Sequence, residues 1–159
     1  MEDDELGFLY PEIDEVKCIK CGLCKKVCSF NSNYDRSANF AEPKVYAVQH
    51  KDKNEIELSQ SGAAFVAISD YILHNKGIVY EAGFEEHFKV THKRALTQDE
   101  RDEFRGSKYV QSNLNNVFKQ IKADLLDGKY VMFTGTPCQT VALKSFLKLS
   151  NINIKNFML

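Results

Sequence analysis

Four of the five cysteines of this 159-residue chain fall between positions 18 and 28, as Cys18-Ile19-Lys20-Cys21-Gly22-Leu23-Cys24-Lys25-Lys26-Val27-Cys28. The steps C-x2-C-x2-C-x3-C are those of an iron–sulfur ligand run. Thiols set so densely on a short loop are hard to explain by packing alone. Three thiolates at steps of three can converge on one face of a cubane while the backbone wraps around it. Gly22 stands between two of them, where a side chain would crowd a cluster and where unusual dihedrals are wanted. Zinc is the competing reading. Zinc ligands come mostly as two pairs held well apart in sequence, so consecutive steps of three favour iron and sulfide. The expected ligands are Cys18, Cys21, Cys24 and Cys28 of a 4Fe-4S cluster, and electron carriage is the first function to consider.

Composition narrows the rest. Hydrophobic content of 43% in 159 residues is enough for the core of one ordinary domain. A net charge of -1, with Lys and Arg scattered, gives no electrostatic case for nucleic acid or an anionic membrane. No apolar run approaches the roughly 18 residues of a membrane span. The start, Met1-Glu2-Asp3-Asp4-Glu5, is acidic, the opposite of a secretory leader. Cysteines in a chain without an export signal point to reduced thiols and metal, and so to the cytoplasm.

Pattern divides the chain in two. Residues 1–35 read as an extended lead-in with a short hairpin around Phe8-Leu9-Tyr10, then the cysteine loop and a helical turn through Val27. Residues 31–43 are polar and turn-rich, a linker where a domain boundary is expected. Residues 43–159 alternate β and α: a strand at 45–48, a helix at 61–75 capped by Ser61, strands at 78–80 and 88–92, and a helix at 113–127 capped by Ser112 and stopped by Gly128. A buried strand at 130–133, a helix at 139–149 and a strand from Ile152 follow. The fold class is therefore α/β, a small ferredoxin-like iron–sulfur segment followed by a βα-alternating sheet domain.

Three stretches could hold a ligand. Thr134-Gly135-Thr136-Pro137-Cys138 follows a buried strand and opens a helix, where free N–H groups suit phosphate. Ser59-Gln60-Ser61-Gly62 precedes another helix, with plain N-capping as the competing reading. Arg105-Gly106-Ser107-Lys108-Tyr109-Val110-Gln111-Ser112 combines two cations, a Gly and an aromatic, or else is a solvated loop. His50, His74, His87 and His92 are isolated and read as structural or surface.

Together, Gly7-Phe8-Leu9-Tyr10-Pro11, the cysteine quartet, Pro43-Lys44-Val45-Tyr46-Ala47, Ser59-Gln60-Ser61-Gly62, the 105–112 block and Gly135-Thr136-Pro137-Cys138-Gln139 resemble the coenzyme F(420) hydrogenase/dehydrogenase beta subunit family. The resemblance implies an oxidoreductase, an iron–sulfur flavoprotein with FAD, fed by 4Fe-4S clusters and reducing a deazaflavin or related acceptor. Its partners would be a ferredoxin or other redox protein and other subunits of a redox complex. Ser61, Gly62, Lys108, Tyr109, Thr136, Pro137 and Cys138 would line the flavin pocket. The chain departs from the family in lacking an earlier cysteine quartet and a longer C-terminal half, so a sequence truncated at both ends is expected. In two-cluster ferredoxins the fourth Cys of such a run binds the other cluster. Cys28 therefore either closes the local site or serves a cluster completed by a missing segment. Ala63 and Glu81 stand where the family commonly has Gly. The alternative function is a non-catalytic iron–sulfur relay or assembly module without flavin.

Overall fold

Asp4 organises the first turn. Its carboxylate accepts the N–H groups of Leu6 and Phe8 at 3.0 and 2.8 Å, and Gly7 takes φ 80° between them. In this computed structural model, which describes residues 2–31 and 44–159, the turn pairs β1 (Glu2–Asp3) antiparallel with β2 (Leu9–Tyr10). That is the expected hairpin. The cysteine loop follows and winds into α1 (Leu23–Val27), which starts after Gly22 at φ 71°.

The second part is a four-stranded mixed sheet. Its strands are β3 (Ile78–Phe84), β4 (Val90–Ala95), β5 (Val131–Phe133) and β6 (Phe157–Met158), in the order β4-β3-β5-β6. β3 and β4 pair antiparallel across a 3-10 turn at Glu86–Phe88, whereas β5 runs parallel to both β3 and β6. The helices are α2 (Lys53–Glu57), α3 (Ala64–His74), α4 (Gln98–Asp102), α5 (Val117–Leu126) and α6 (Pro137–Leu149).

Strand alternation sorts the core into two layers. Ile78, Tyr80, Val131 and Phe133 pack on Ile121, Leu125, Leu143 and Leu147 of α5 and α6. Val79, Met132 and Ala95 pack on Ile72 of α3 and on Phe104. Because β3 and β5 are covered on both faces, they read as continuous apolar runs. Arg101, only 2% exposed, clamps α4 to α3: it meets Asp70 at 2.9 Å and donates to Ser69 Oγ at 2.6 Å and the Val66 carbonyl at 3.1 Å. Asp102 faces it at 2.8 Å, so this buried charge is fully paired, as burial demands.

Several elements differ from expectation. Residues 45–48 form no strand, and Val45, Tyr46 and Val48 are exposed. The outer edge of β4, where an added strand would pair, is occupied by Asn113, which exchanges bonds with His92 N–H and the Val90 carbonyl at 2.9 Å each. The same bridge keeps Asn113 out of α5, which begins at Val117. Ser112 does not cap that helix, and Ser61 does not cap α3, because Ser61 and Ala63 both lie at positive φ and Ala63 is the cap residue. The expected last strand shrinks to Phe157–Met158. The linker at 31–43, with its domain boundary, lies outside the described residues apart from Asn31.

Candidate functional site

The site arises because β5 is three residues long and β3 is seven. Ile78 N–H donates to the Tyr130 carbonyl at 2.8 Å, and the Tyr80 carbonyl accepts from Thr134 N–H at 3.0 Å, so even-numbered residues of β3 direct their backbone groups at β5. Ala82 continues that period. By then β5 has turned away into residues 134–136. Glu81 fills the vacancy, its Oε1 accepting Ala82 N–H at 2.8 Å.

A cavity of about 1390 Å³ opens beside this edge. Small-ligand sites usually measure about 300–1,000 Å³, so it has room for a large cofactor. Its walls come from the start of α3, the 104–115 loop, the start of α6, and residues 8–11 and 28–30 of the N-terminal segment. It lies beyond the carboxyl end of a parallel strand, the usual ligand position in such sheets.

The Gln111 side chain docks the N-terminal segment. Leu9 N–H donates to its Oε1 at 2.8 Å, and its Nε2 donates to the Leu9 carbonyl at 3.2 Å. α1 also lies against α6. The cysteine loop thereby becomes a cavity wall, and Cys28 and Cys138 border the same space.

A directed chain of hydrogen bonds fixes the rim. Thr136 N–H donates to Gln139 Oε1 at 2.9 Å, and Gln139 Nε2 donates to Ser112 Oγ at 2.9 Å. Ser112 Oγ lies 3.0 Å from His92 Nδ1, and His92 Nε2 lies 2.9 Å from the Thr134 carbonyl. A carbonyl can only accept, so the network assigns the imidazole proton to Nε2, and Nδ1 accepts from Ser112. The ring stacks on Phe133 at 5.0 Å. Burial holds the His92 pKa below the ordinary histidine value, against the opposing pull of the Thr134 carbonyl. His92 is therefore neutral and structural.

Three charged groups border the cavity: Lys108, Glu81 and Arg105, the last paired with Glu55 at 2.6 Å and Asp102 at 3.0 Å. Lys108 donates to the carbonyls of Phe104, Arg105 and Gly106 at 2.5, 3.2 and 3.0 Å, which uses all three ammonium hydrogens. Burial lowers its pKa, partly offset by Glu81. Burial raises the Glu81 pKa, against Ala82 N–H and Lys108. Lys93 sits opposite Glu81 in the ladder, but its ammonium meets Glu103 at 2.9 Å instead.

Of the residues expected around a flavin, Lys108, Tyr109, Thr136 and Cys138 line the cavity, while Ser61, Gly62 and Pro137 do not. Ser59 and Gln60 stand there from the second stretch, with Ala63 just after it. Gly62 is needed for backbone contact: a Cβ there would lie 2.2 Å from the Val48 carbonyl oxygen, and its own carbonyl accepts His50 N–H at 2.8 Å. Pro137 occupies the first turn of α6. All five cysteines are free; Cys18, Cys21 and Cys24 are exposed and Cys28 is half-buried. Among the described residues, no three Cys, His, Asp or Glu side chains are gathered as a metal-binding group. The donor chemistry of the loop nevertheless suits iron and sulfide, since its soft thiols are unpaired and accessible. Sequence reasoning named Gln111 only within the 105–112 block and Glu81 only as a departure from Gly; it missed the tie from Gln111 to Leu9 and the links from Ser112 to His92 and Gln139, because no local spacing announces partners 20 to 102 positions apart.

Residues 11–32 match the 4Fe-4S binding domain family. This N-terminal segment is thus of ferredoxin type, and its chemistry is iron–sulfur electron transfer. No curated protein matches the chain. Among the described residues, no helix is long and apolar enough to cross a membrane.

Proposed function

We propose that this chain is the electron-entry part of an iron–sulfur flavoprotein oxidoreductase. One observation carries the reading: Cys28, at the end of the cysteine run, lines the same large cavity as the start of α6 and the 105–112 block. In this reading residues 1–35 form the iron–sulfur part, with Cys18, Cys21, Cys24 and Cys28 as ligands, and residues 43–159 belong to a flavin-holding domain of the coenzyme F(420) hydrogenase/dehydrogenase beta subunit type. A cytoplasmic ferredoxin or similar redox protein supplies electrons, and a deazaflavin-like molecule accepts them.

The cavity suits FAD in size. A Cβ on Gly135 would meet Gln139 Oε1 at 2.9 Å and the Phe133 ring at 3.0 Å, so the glycine is what lets the 134–136 turn pack on the Gln139 link of the rim. When bound, the flavin would couple one-electron steps to two-electron chemistry. The protein's own part is positional. The chain from Thr136 to His92 holds the rim, and Gln111 ties Leu9 of the N-terminal segment beside it.

A second reading is an iron–sulfur relay or assembly module without flavin. It is favoured by Lys108, whose hydrogens are spent on carbonyls and leave none for a phosphate. Purification under exclusion of oxygen separates the two. Iron and acid-labile sulfide with a yellow chromophore that leaves as FAD on denaturation support the flavoprotein. Iron and sulfide without flavin support the module, and zinc in place of iron overturns both.

A further inference from the structure

The open edge of β3 has a definite hydrogen-bond character. Residues 79, 81 and 83 turn their backbone groups to β4, opposite Ala95, Lys93 and Thr91. Ala82 faces the other way, past the end of β5, and borders the cavity. Its N–H is held by Glu81 Oε1 at 2.8 Å. Two acceptors are then left: the Ala82 carbonyl and the second carboxylate oxygen of Glu81. Three nearby donors are occupied, while two buried polar atoms on cavity-lining residues, Arg105 Nε and Thr134 Oγ1, have no hydrogen-bond partner. Lys108 gives its hydrogens to the Phe104, Arg105 and Gly106 carbonyls, and His92 gives its Nε2 proton to Thr134. Lys93 is drawn off to Glu103.

We propose that Glu81 and Ala82 form an acceptor subsite that takes the N–H edge of a planar heterocycle in the cavity. This rests on the flavin reading and deepens it, because the edge in question is the imide N–H of the isoalloxazine ring. The imide N–H finds an acceptor there, whereas an edge without an N–H leaves the Glu81 oxygen unpaired, which is costly for a buried polar group. The subsite thus selects ring orientation as well as ring type.

The test uses the full chain with its iron–sulfur centre, and two probes, riboflavin and 3-methylriboflavin, followed by quenching of flavin fluorescence. Methylation removes the imide hydrogen and nothing else of the edge. The wild-type chain is expected to bind the methylated probe roughly tenfold more weakly or worse, the usual penalty for losing a hydrogen bond to a charged group. Glu81→Gln keeps the volume. With its oxygen retained on Ala82 N–H, it turns an NH2 group toward the probe, so it is expected to bind both probes alike. Wild-type protein that binds both equally, or a Glu81→Gln variant that keeps the full preference, overturns the subsite and leaves the flavin reading standing. Wild-type protein that binds neither probe overturns both together.

Discussion

Gln139 offers the sharpest test of the rim network. Its amide makes two bonds of 2.9 Å, accepting from Thr136 N–H and donating to Ser112 Oγ. A neutral hydrogen bond contributes about 0.5–1.5 kcal/mol net. Thr136 is exposed, so water replaces its lost partner cheaply, while Ser112 is half-buried and recovers less. Gln139→Ala should therefore cost about 1–2 kcal/mol, a fall in Tm of roughly 2–8 °C for a chain of this size. Gln139→Glu keeps the acceptor for Thr136 and removes only the donor to Ser112. Ser112→Ala should cost about 1–3 kcal/mol, because it strips His92 Nδ1 of its donor in a buried setting. The decisive quantity is the coupling. Urea unfolding of both single variants and of Gln139→Ala/Ser112→Ala should give an interaction energy of at least about 0.5 kcal/mol, since one bond is lost from both sides. Additivity within about 0.3 kcal/mol would mean the two side chains do not form one network, and the account of a rigid rim would fail.

Acid should probe the same network from its other end. Because burial holds the folded His92 pKa below its ordinary 6.5, the unfolded chain binds the proton first. The stabilisation is complete above about pH 6.5 and is lost as pH falls from there through the lower folded value, with a slope of at most about 1.4 kcal/mol per pH unit. His92→Gln should flatten the unfolding midpoint across that range. Gly62→Ala should cost about 1–3 kcal/mol by forcing a Cβ into the Val48 carbonyl, and should expose residues 45–50 to limited proteolysis. Gln111→Ala removes both bonds to Leu9, so hydrogen exchange at the Leu9 amide should accelerate while β3 keeps its protection. Cys24→Ser should lower bound iron and acid-labile sulfide, whereas Cys138→Ser should leave them unchanged.

The readable parts of the fold were those governed by local burial. The alternation of Ile78, Val79 and Tyr80 between two helical layers, the run Val131-Met132-Phe133 and the helix ended by Gly128 each follow from a short window of sequence. Residues 45–48 show the limit. Val45, Tyr46 and Val48 have the composition of a strand, but a strand needs a free edge, and Asn113 closes the one on β4 from far along the chain. Ser61 and Ser112 have the chemistry of helix caps. The first sits at φ 60°, outside the extended geometry of a cap, and the second is drawn into a side-chain network that involves a strand and another helix. The cysteine run was readable because spacing along the chain is itself the determinant of ligand geometry.

A mismatch in strand length ties these observations together. Had β5 continued beside β3 for its full seven residues, Ala82 N–H would have found a backbone partner and Glu81 would have had no edge to satisfy. By stopping at Phe133, β5 opens the cavity and starts the turn that aims α6 into it. It also frees the Thr134 carbonyl to take the His92 proton, which fixes the imidazole, Ser112 and Gln139 in sequence. The α6 surface then receives α1, and Gln111 receives Leu9, so the iron–sulfur segment is held by groups that the short strand has already positioned. A variant that extends pairing between β3 and the 134–136 loop should therefore shrink the cavity and loosen the cysteine loop together, although the two lie on different parts of the chain.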